Sequence, residues 1–469
     1  MIQVELTLAG VIILPLALFV FFRDSKYILG VLFFVSIFHG ASVLNFTYGG
    51  MKLAISPYYF IGSLISLRFI LSVLFKGSRV YKVLSRTSTV LLLLFWFWSI
   101  ITALILPHIF SGLEVYAPRV GFAALSQQRE YLKFSFSNIG QAIYLTINIF
   151  VILFAVVEIN RFNQFSYLLK SFQLAALTSI TLSFYQRLVY MVDSWKYLYP
   201  HALLYSNPIY YIGAEQKMGG IYRINATFAE PSVAAAFYSS IFSGSLAAFV
   251  HAGQLFWLIE ALVATLAIIN TLSTTGIVVW FATVLMLTLS ITTISIFSKV
   301  KFVQIARLSV LMLAFIGLSS LLPILITKYP AIYEITINKM HSLSYSRRIS
   351  ADLYSMILIL ETYGLGVGLG SNRPSSLLAS MLTNVGILGT MLFALYLYST
   401  IRPILRSNFA EAKFIVWTLV ALLVAQAVSL PNLNFPPLWV LLTLSSVYQR
   451  LLSDRQVVNK YEIRGEMNE

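Results

Sequence analysis

Long apolar stretches recur along most of this sequence, and they constrain the fold more than any other feature. Apolar residues make up 59% of the chain and charged residues only 10%, whereas a soluble domain carries roughly 25% charged residues. A helix needs ~20 mostly apolar residues to cross a bilayer. Such windows occur about thirteen times, at 6–22, 27–46, 53–75, 88–110, 139–158, 167–191, 233–250, 254–271, 276–297, 307–327, 375–400, 413–430 and 436–452. The sequence therefore predicts an all-α, polytopic integral membrane protein with about 12–14 transmembrane helices.

The cationic residues predict the orientation of these helices. Short connections rich in lysine and arginine each follow an odd-numbered span, as Arg23 and Lys26 follow the first. Positive residues favour the cytoplasmic side, so the N-terminus is expected outside. The formal charge of +15 is spread over these connections, which predicts contact with anionic membrane lipid and no nucleic-acid partner.

Three long connections, 111–138, 192–232 and 328–374, fall on the opposite, outer side. The predicted organisation has transmembrane helices in 1–191, 233–327 and 375–452, outer loops at 192–232 and 328–374, and a cytoplasmic tail at 453–469. Function concentrates in long loops held by a rigid scaffold. The outer side is therefore where we expect the functional site.

One polar segment, 222–232, lies between two long apolar runs and reads YRINATFAEPS. Arg223 is a candidate ligand for a diphosphate, because a guanidinium fork binds phosphate oxygens in pairs and stays charged. Glu230 is a candidate general base. The alternative for Arg223 is an interfacial arginine at a helix end, and the alternative for Glu230 is a carboxylate that interacts with a helix dipole ahead of Pro231.

Further candidates lie in other predicted outer segments. Residues 364–370 form a glycine run, GLGVGLG, for which we predict a tight turn whose backbone approaches substrate. Ser375 is expected to cap a helix or hold a hydrogen bond rather than act as a nucleophile, since no base accompanies it. Arg187 is compatible with either a phosphate contact or an interfacial position. The remaining candidates for substrate or diphosphate binding are Arg347, Arg348, Arg373, Thr275 and Tyr345.

The motifs between residues 220 and 430 resemble those of the bacterial O-antigen polymerase and ligase superfamily. The stretch R-x-x-A-T-F-x-E-P-S that begins at Arg223, and the turn Ser-Thr-Thr-Gly at 273–276, look like polymerases of capsule, exopolysaccharide or O-antigen. The ligase pattern of a histidine, a small polar residue, nine residues and Gly-x-x-Gly-Thr is matched by 375–390, with Ser375 in place of the histidine. Thr275 stands where the ligases have an arginine. Both departures disfavour a ligase.

The resemblance implies a type-C glycosyltransferase-like architecture in the bacterial inner membrane, with large periplasmic loops. It implies a metal-independent, inverting polymerase that joins undecaprenyl-diphosphate-linked oligosaccharide repeats and needs no cofactor. Donor and acceptor glycans would be its partners, together with a chain-length regulator. We predict catalytic roles for Glu230, Arg223 and Arg348. The alternatives are a ligase that transfers finished polymer to an acceptor, and a flippase or other transporter of lipid-linked oligosaccharide.

Two further features concern metals and buried charge. The chain has no cysteine, and its five histidines are dispersed without an HExxH pattern, so no metal site is predicted. Arg68 and Glu260 lie inside apolar spans, where a charge is costly. They are expected either to pair with each other or to line a polar cavity.

Overall fold

The computed structural model describes residues 3–48, 51–75, 77–118, 128–210, 212, 215–297 and 343–466, together with residues 303, 306, 307 and 309. This part of the chain is mostly helical. The helices are α1 (Leu8–Phe21), α2 (Ser25–Val35), α3 (Pro57–Phe75), α4 (Gly77–Leu84), α5 (Thr87–Ile109), α6 (Phe136–Glu158), α7 (Phe162–Tyr190), α8 (His201–Leu204), α9 (Pro231–Ala252), α10 (Leu255–Thr271), α11 (Thr274–Phe297), α12 (Leu343–Glu361), α13 (Leu377–Asn384), α14 (Gly386–Leu405), α15 (Ala410–Ser429) and α16 (Pro436–Glu466), with a 3₁₀ helix at Asp193–Leu198.

Several of these helices suit a membrane. Among the described residues, α3, α5, α6, α9, α14 and α15 are long and apolar enough to cross a bilayer, and four shorter apolar helices accompany them. A helical membrane protein is therefore confirmed. The predicted span at 307–327 lies almost wholly outside the described residues.

Two predicted spans have different bounds. The span expected at 27–46 ends as a helix at Val35, and its second half includes a β-strand, Leu44–Tyr48. Apolar and polar residues alternate in LNFTY, the period of a strand rather than a helix. The span expected at 375–400 is interrupted, because Gly386 has a positive φ of 72° and separates α13 from α14.

Short strands form three small antiparallel sheets, which the all-α prediction omitted. Strands β1 (Gln3–Leu6), β2 (Leu44–Tyr48) and β3 (Met51–Ile55) pair in that order. Strand β4 (Glu114–Tyr116) pairs with β5 (Arg129–Tyr131), and β6 (Lys217–Met218) pairs with β7 (Ile221–Tyr222). Strands β4 to β7 lie in two of the long connections that the sequence places on the outer side. Strand β1 belongs to the N-terminal segment, and β2 and β3 overlap the spans predicted at 27–46 and 53–75.

Hydrogen bonds gather several segments at one end of the bundle, which we call the loop end (residues 36–43, 111–118, 128–135, 192–210, 215–230 and 362–376). The Gly40 amide donates to the Thr227 carbonyl at 3.2 Å, and the Arg373 amide donates to the Tyr116 carbonyl at 2.9 Å. The opposite end, with the Arg23, Arg86, Asn160 and Arg450 regions, is called the basic end. There the Arg86 guanidinium meets the Asp454 carboxylate at 2.6 Å.

Helix α9 is the most buried of the six long apolar helices and begins directly after the polar segment 222–232. Its alanine, serine and glycine residues allow neighbouring helices to approach closely, and a Cβ on Gly244 would stand 2.6 Å from the Phe414 carbonyl oxygen of α15. The segment is therefore anchored to the centre of the bundle.

The two charges inside apolar spans do not pair with each other. Arg68 donates to the carbonyls of Phe21 and Arg23 at 3.2 and 3.0 Å. Glu260 accepts a hydrogen bond from the Ser245 hydroxyl at 2.8 Å. The pairing alternative is wrong, and each group has its own local partner.

Candidate active site at the loop end

The polar segment 222–232 forms a buried turn with a charged residue at each end. Residues 224–229 are fully buried, whereas Arg223 and Glu230 are only half-buried. Ala226 occupies the left-handed region with φ of 47°. A buried backbone needs a partner for every polar group. The Phe228 amide bonds within the segment to the Asn225 carbonyl at 2.9 Å, and several other partners come from outside it.

Those partners are side chains of α7 and of the connection that follows it. The Gln186 side-chain oxygen accepts from the amides of Asn225 and Ala226 at 3.2 and 2.8 Å. The hydroxyls of Tyr199 and Tyr205 both donate to the Ala226 carbonyl, at 2.9 and 2.7 Å. The turn is held on several sides, so the positions of Arg223 and Glu230 are fixed by the fold.

Arg223 reaches from this turn to the end of α10. Its Nε donates to the Thr271 carbonyl at 3.4 Å, and its Nη1 donates to the Gln216 side-chain oxygen at 3.1 Å. Carbonyls at a helix C-terminus attract cations, so one function of Arg223 is to tie the turn to α10. Its Nη2 makes no hydrogen bond to a described residue.

The charges around Arg223 are unbalanced. Burial lowers the pKa of Arg223 below its ordinary value, the Glu230 carboxylate raises it, and the Arg348 guanidinium lowers it again. Glu230 and Arg348 therefore each lie within electrostatic reach of Arg223, and counting Arg223 itself two positive charges stand against one negative charge. Such an arrangement favours an anion.

Arg348 lies in the first turns of α12 and is half-buried. Within the described part of the chain, no hydrogen bond or ion pair involves its side chain. Arg347 beside it is exposed, and Tyr345 is 41% exposed. The structure therefore brings Arg348 towards Arg223, while Arg347 and Tyr345 lie at the surface.

Glu230 is the N-cap residue of α9, yet its carboxylate accepts no capping hydrogen bond from a backbone amide of the first turn. It accepts one from the Ser232 hydroxyl at 3.2 Å. Capping through a side-chain hydrogen bond is thus excluded, and the interaction with the helix dipole remains. A half-buried carboxylate with one weak partner can still accept a proton.

Asp352 belongs to this region and was missed by the sequence analysis. It lies one helical turn after Arg348, and its Oδ1 accepts from the amides of Ser375 and Ser376 at 2.6 and 3.2 Å. The spacing of four residues on one helix face is the signal that points to it. Asp352 joins the helix that carries Arg348 to the segment that carries Arg373.

Arg373 lies at a neighbouring position of the loop end. Its side chain is exposed, and its charge acts on His39 and on Tyr210. The His39 ring is buried against Tyr210, at 4.2 Å between ring centroids, and also neighbours Phe228 of the polar turn at 6.5 Å. Arg373 is therefore a neighbour of His39, which contacts the polar turn, but it is not part of the group formed by Arg223, Arg348 and Glu230.

Three further candidates hold parts of the fold together and lie outside the group of Arg223, Arg348 and Glu230. Arg187 donates to the carbonyls of Tyr222 and Asn270, both at 2.7 Å, which makes it a tie between α7 and α10. Thr275 is buried and shares a hydrogen bond of 2.8 Å with the Ser429 hydroxyl. Ser375 is buried too, but the cap of α13 is Ser376, whose hydroxyl accepts from the Ala379 amide at 3.4 Å.

The glycine run approaches protein backbone rather than an open site. Gly366 and Gly368 have φ of 87° and 103°, which side chains rarely adopt. A Cβ on either would stand 2.7 Å from a carbonyl oxygen, that of Thr383 or of Thr102. These glycines let the 362–376 segment pack onto α5 and α13. The predicted approach of this backbone to substrate is wrong for these two positions.

Two lysines add positive charge near Arg223, and the sequence analysis did not select them. The ammonium groups of Lys196 and Lys217 lie 4.1 and 4.3 Å from the centre of the Tyr222 ring, next to Arg223 in the chain. Lys196 also pairs with Asp193 at 2.8 Å. Lys196 lies 26 residues before Tyr222 in a long connection, so the sequence gives no distinctive pattern for this arrangement.

No group of three or more His, Asp or Glu side chains that could hold a metal ion is found in the described residues. Comparisons with protein-family models, with curated proteins and with solved structures found no match for this chain.

Proposed function

We propose that this protein is a polysaccharide polymerase that joins undecaprenyl-diphosphate-linked oligosaccharide repeats at the periplasmic face of the bacterial inner membrane. The observation that carries the proposal is the group formed by Arg223, Arg348 and Glu230. Two cations with spare hydrogen-bonding capacity and one carboxylate are what transfer from a lipid diphosphate requires.

In the proposed step, a hydroxyl of one lipid-linked glycan attacks the anomeric carbon of another. A new glycosidic bond forms, the bond from that carbon to the diphosphate oxygen breaks, and undecaprenyl diphosphate leaves with the electron pair. Glu230 takes the hydroxyl proton. Arg223 and Arg348 hold the diphosphate and stabilise the negative charge that develops on it.

The charge distribution supports the proposed orientation. The loop end would face the periplasm and the basic end the cytoplasm, since positive residues near the ends of spans favour the cytoplasmic side. The proposal includes a type-C glycosyltransferase-like organisation, in which the helices hold the loops that carry the site.

The decisive test is a reaction with purified protein in lipid vesicles and one lipid-linked repeat as the only substrate. A ladder of products that lengthens by whole repeats supports the polymerase. Product formed only when a lipid A core acceptor is added would instead indicate the ligase. Movement of the lipid-linked repeat across the bilayer without any product would indicate the flippase. The same three measurements are made on Glu230→Gln, which keeps the shape of the side chain but lacks the proposed base.

A further inference from the structure

The three-stranded sheet at the loop end has one entirely apolar face. Cross-strand partners lie on the same face of an antiparallel sheet. The register pairs Val4 with Phe46 and Phe46 with Leu53, and it pairs Leu6 with Leu44 and Leu44 with Ile55. Val4, Leu6 and Leu53 remain 60%, 50% and 57% exposed. Leu44 and Ile55 on this face are half-buried and pack against the hydrophobic core. The part that stays exposed is apolar, and an exposed apolar patch marks an interaction surface.

The opposite face is polar; it contacts the protein at Asn45, while Gln3, Glu5 and Lys52 are exposed. It carries Glu5 paired with Asn45, and Gln3 and Lys52 in line with Thr47. Asn45 is buried, and its Nδ2 donates to the Ser206 carbonyl at 3.1 Å. The sheet is therefore fixed to the 203–207 connection by its polar face, and the apolar face points away from that connection.

The apolar face continues into the exposed side of α1. A Cβ on Gly10 would stand 2.6 Å from Leu6 Cδ1, so Leu6 packs on the first turn of that helix. Leu8, Val11 and Ile12 of α1 are 54%, 55% and 52% exposed. Exposed apolar side chains on a membrane helix face lipid, so the sheet extends a lipid-facing surface beyond the end of the helix.

We infer that the β1–β2–β3 sheet lies in the membrane–water boundary at the loop end, with its apolar face against lipid acyl chains. An open sheet cannot enter the hydrocarbon core, because the outer edges of β1 and β3 leave backbone groups that need water or headgroups. The boundary region satisfies both requirements, since it offers acyl chains to one face and polar partners to the edges. The sheet thus acts as an interfacial anchor beside the candidate site.

Nitroxide scanning tests this placement directly. The chain has no cysteine, so Val4→Cys and Leu53→Cys each carry one label on the apolar face. Gln3→Cys and Lys52→Cys are matched controls one residue away on the polar face. The full-length protein is reconstituted in vesicles of phosphatidylethanolamine and phosphatidylglycerol, and collisions with oxygen and with a water-soluble nickel chelate are measured.

We expect labels at 4 and 53 to collide preferentially with oxygen, and labels at 3 and 52 to collide preferentially with the nickel chelate. The logarithm of the ratio of the oxygen collision rate to the chelate collision rate should be negative for the label at position 52 and positive for the label at position 53. Equal preference for the chelate on both faces would overturn the inference by placing the sheet in water. Shielding of positions 4 and 53 from both reagents would also overturn it, because a second copy or another protein would then cover the face. Size-exclusion profiles like that of the parent protein establish that the labelled variants are folded.

Discussion

The arginines at the two ends of the molecule differ in how completely they are bonded. At the basic end, Arg86 and Arg450 share the Asp454 carboxylate, at 2.6 and 3.3 Å, and Arg450 also donates to Asn160 at 2.6 Å. At the loop end, Arg348 makes no hydrogen bond or ion pair with a described residue. Arg223 has only neutral hydrogen-bond partners, Gln216 and Thr271.

This difference separates arginines that stabilise the fold from arginines available to a ligand. A half-buried cation loses hydration, and a nearby like charge adds to that cost. At the basic end a carboxylate offsets the cost within the protein. At the loop end it is offset only in part by Glu230, so a bound anion would complete the charge balance. Arg187 also lies near the polar turn, but its guanidinium already donates hydrogen bonds to two backbone carbonyls. A position near the turn is therefore not enough to make an arginine available to a ligand.

Removal of the loop-end arginines is expected to have the largest effect on activity. Arg223→Ala and Arg348→Ala should each lower the rate of polymer formation by about 10²–10³-fold, the usual cost of losing one electrostatic donor. The double variant should form no long polymer. The measurement is product length and rate from lipid-linked repeat, normalised to folded protein in the membrane.

Arg450→Ala at the basic end is the control for this comparison. It should lower the amount of folded protein while the rate per folded molecule stays close to that of the parent. Equal losses of rate from Arg450→Ala and Arg348→Ala would remove the distinction between the two ends. Arg347→Ala should cost less than Arg348→Ala, because Arg347 is exposed.

Glu230→Gln is expected to lower the rate by roughly 10²-fold, near the lower limit for a general base because water can partly replace it. The amide keeps the shape of the side chain but cannot take the proton. Thermal stability should change little, since the carboxylate makes no capping hydrogen bond. A normal rate together with a lowered midpoint of unfolding would assign Glu230 to the helix dipole instead.

The helical membrane class was predictable from the sequence, because a bilayer imposes one requirement on every spanning segment. Six of the predicted spans correspond to described helices that are long and apolar enough to cross it. The N-terminal sheet was less accessible. The window that reads 27–46 as apolar averages over a change from helical to alternating pattern after Val35. Averaged hydropathy conceals a change of period, which a search for alternation at 44–48 detects.

The candidate site was predictable only in part, because the sequence does not show the hydrogen-bond partners of its side chains. Arg223, Arg348 and Glu230 were selected from local chemistry, and the structure brings Arg348 and Glu230 within electrostatic reach of Arg223. The different role of Arg187 depends on carbonyls of Tyr222 and Asn270. Such partners are distant in sequence. Every residue has a backbone carbonyl, so the residue type does not reveal which carbonyl accepts the hydrogen bond. Asp352 was missed for the same reason, since its partners are backbone amides.

Asp352→Ala should cost about 1–3 kcal/mol in the free energy of unfolding, because two amides lose their acceptor. Displacement of Ser375 and Ser376 would also loosen the junction between α12 and α13, so the rate of polymer formation should fall by less than in Arg348→Ala. Asp352→Asn is the matched variant, as its side-chain oxygen can still accept. Similar stability of the Ala variant and the parent, measured by thermal unfolding, would contradict this role.

Ala226→Gly is expected to have the smallest effect, and one of opposite sign on stability. The left-handed conformation of a non-glycine residue lowers the free energy of unfolding by roughly 1–2 kcal/mol, and glycine removes that cost. Glycine also makes the unfolded chain more flexible, which lowers the free energy of unfolding by about 0.5–1 kcal/mol. The net change is a modest gain in unfolding free energy. Ala229→Gly, at a buried position of the same turn without positive φ, should instead lose stability.

The rate should respond to Ala226→Gly in the opposite direction from stability. Ala226 lies between Arg223 and Glu230, and glycine permits backbone conformations at that point that alanine excludes. Strain retained at such a position fixes the geometry of the residues on either side. We therefore expect a small fall in polymer rate together with a rise in the midpoint of unfolding. A variant that gains stability with an unchanged rate would show that the hydrogen bonds from Gln186, Tyr199 and Tyr205 suffice to position both charged groups.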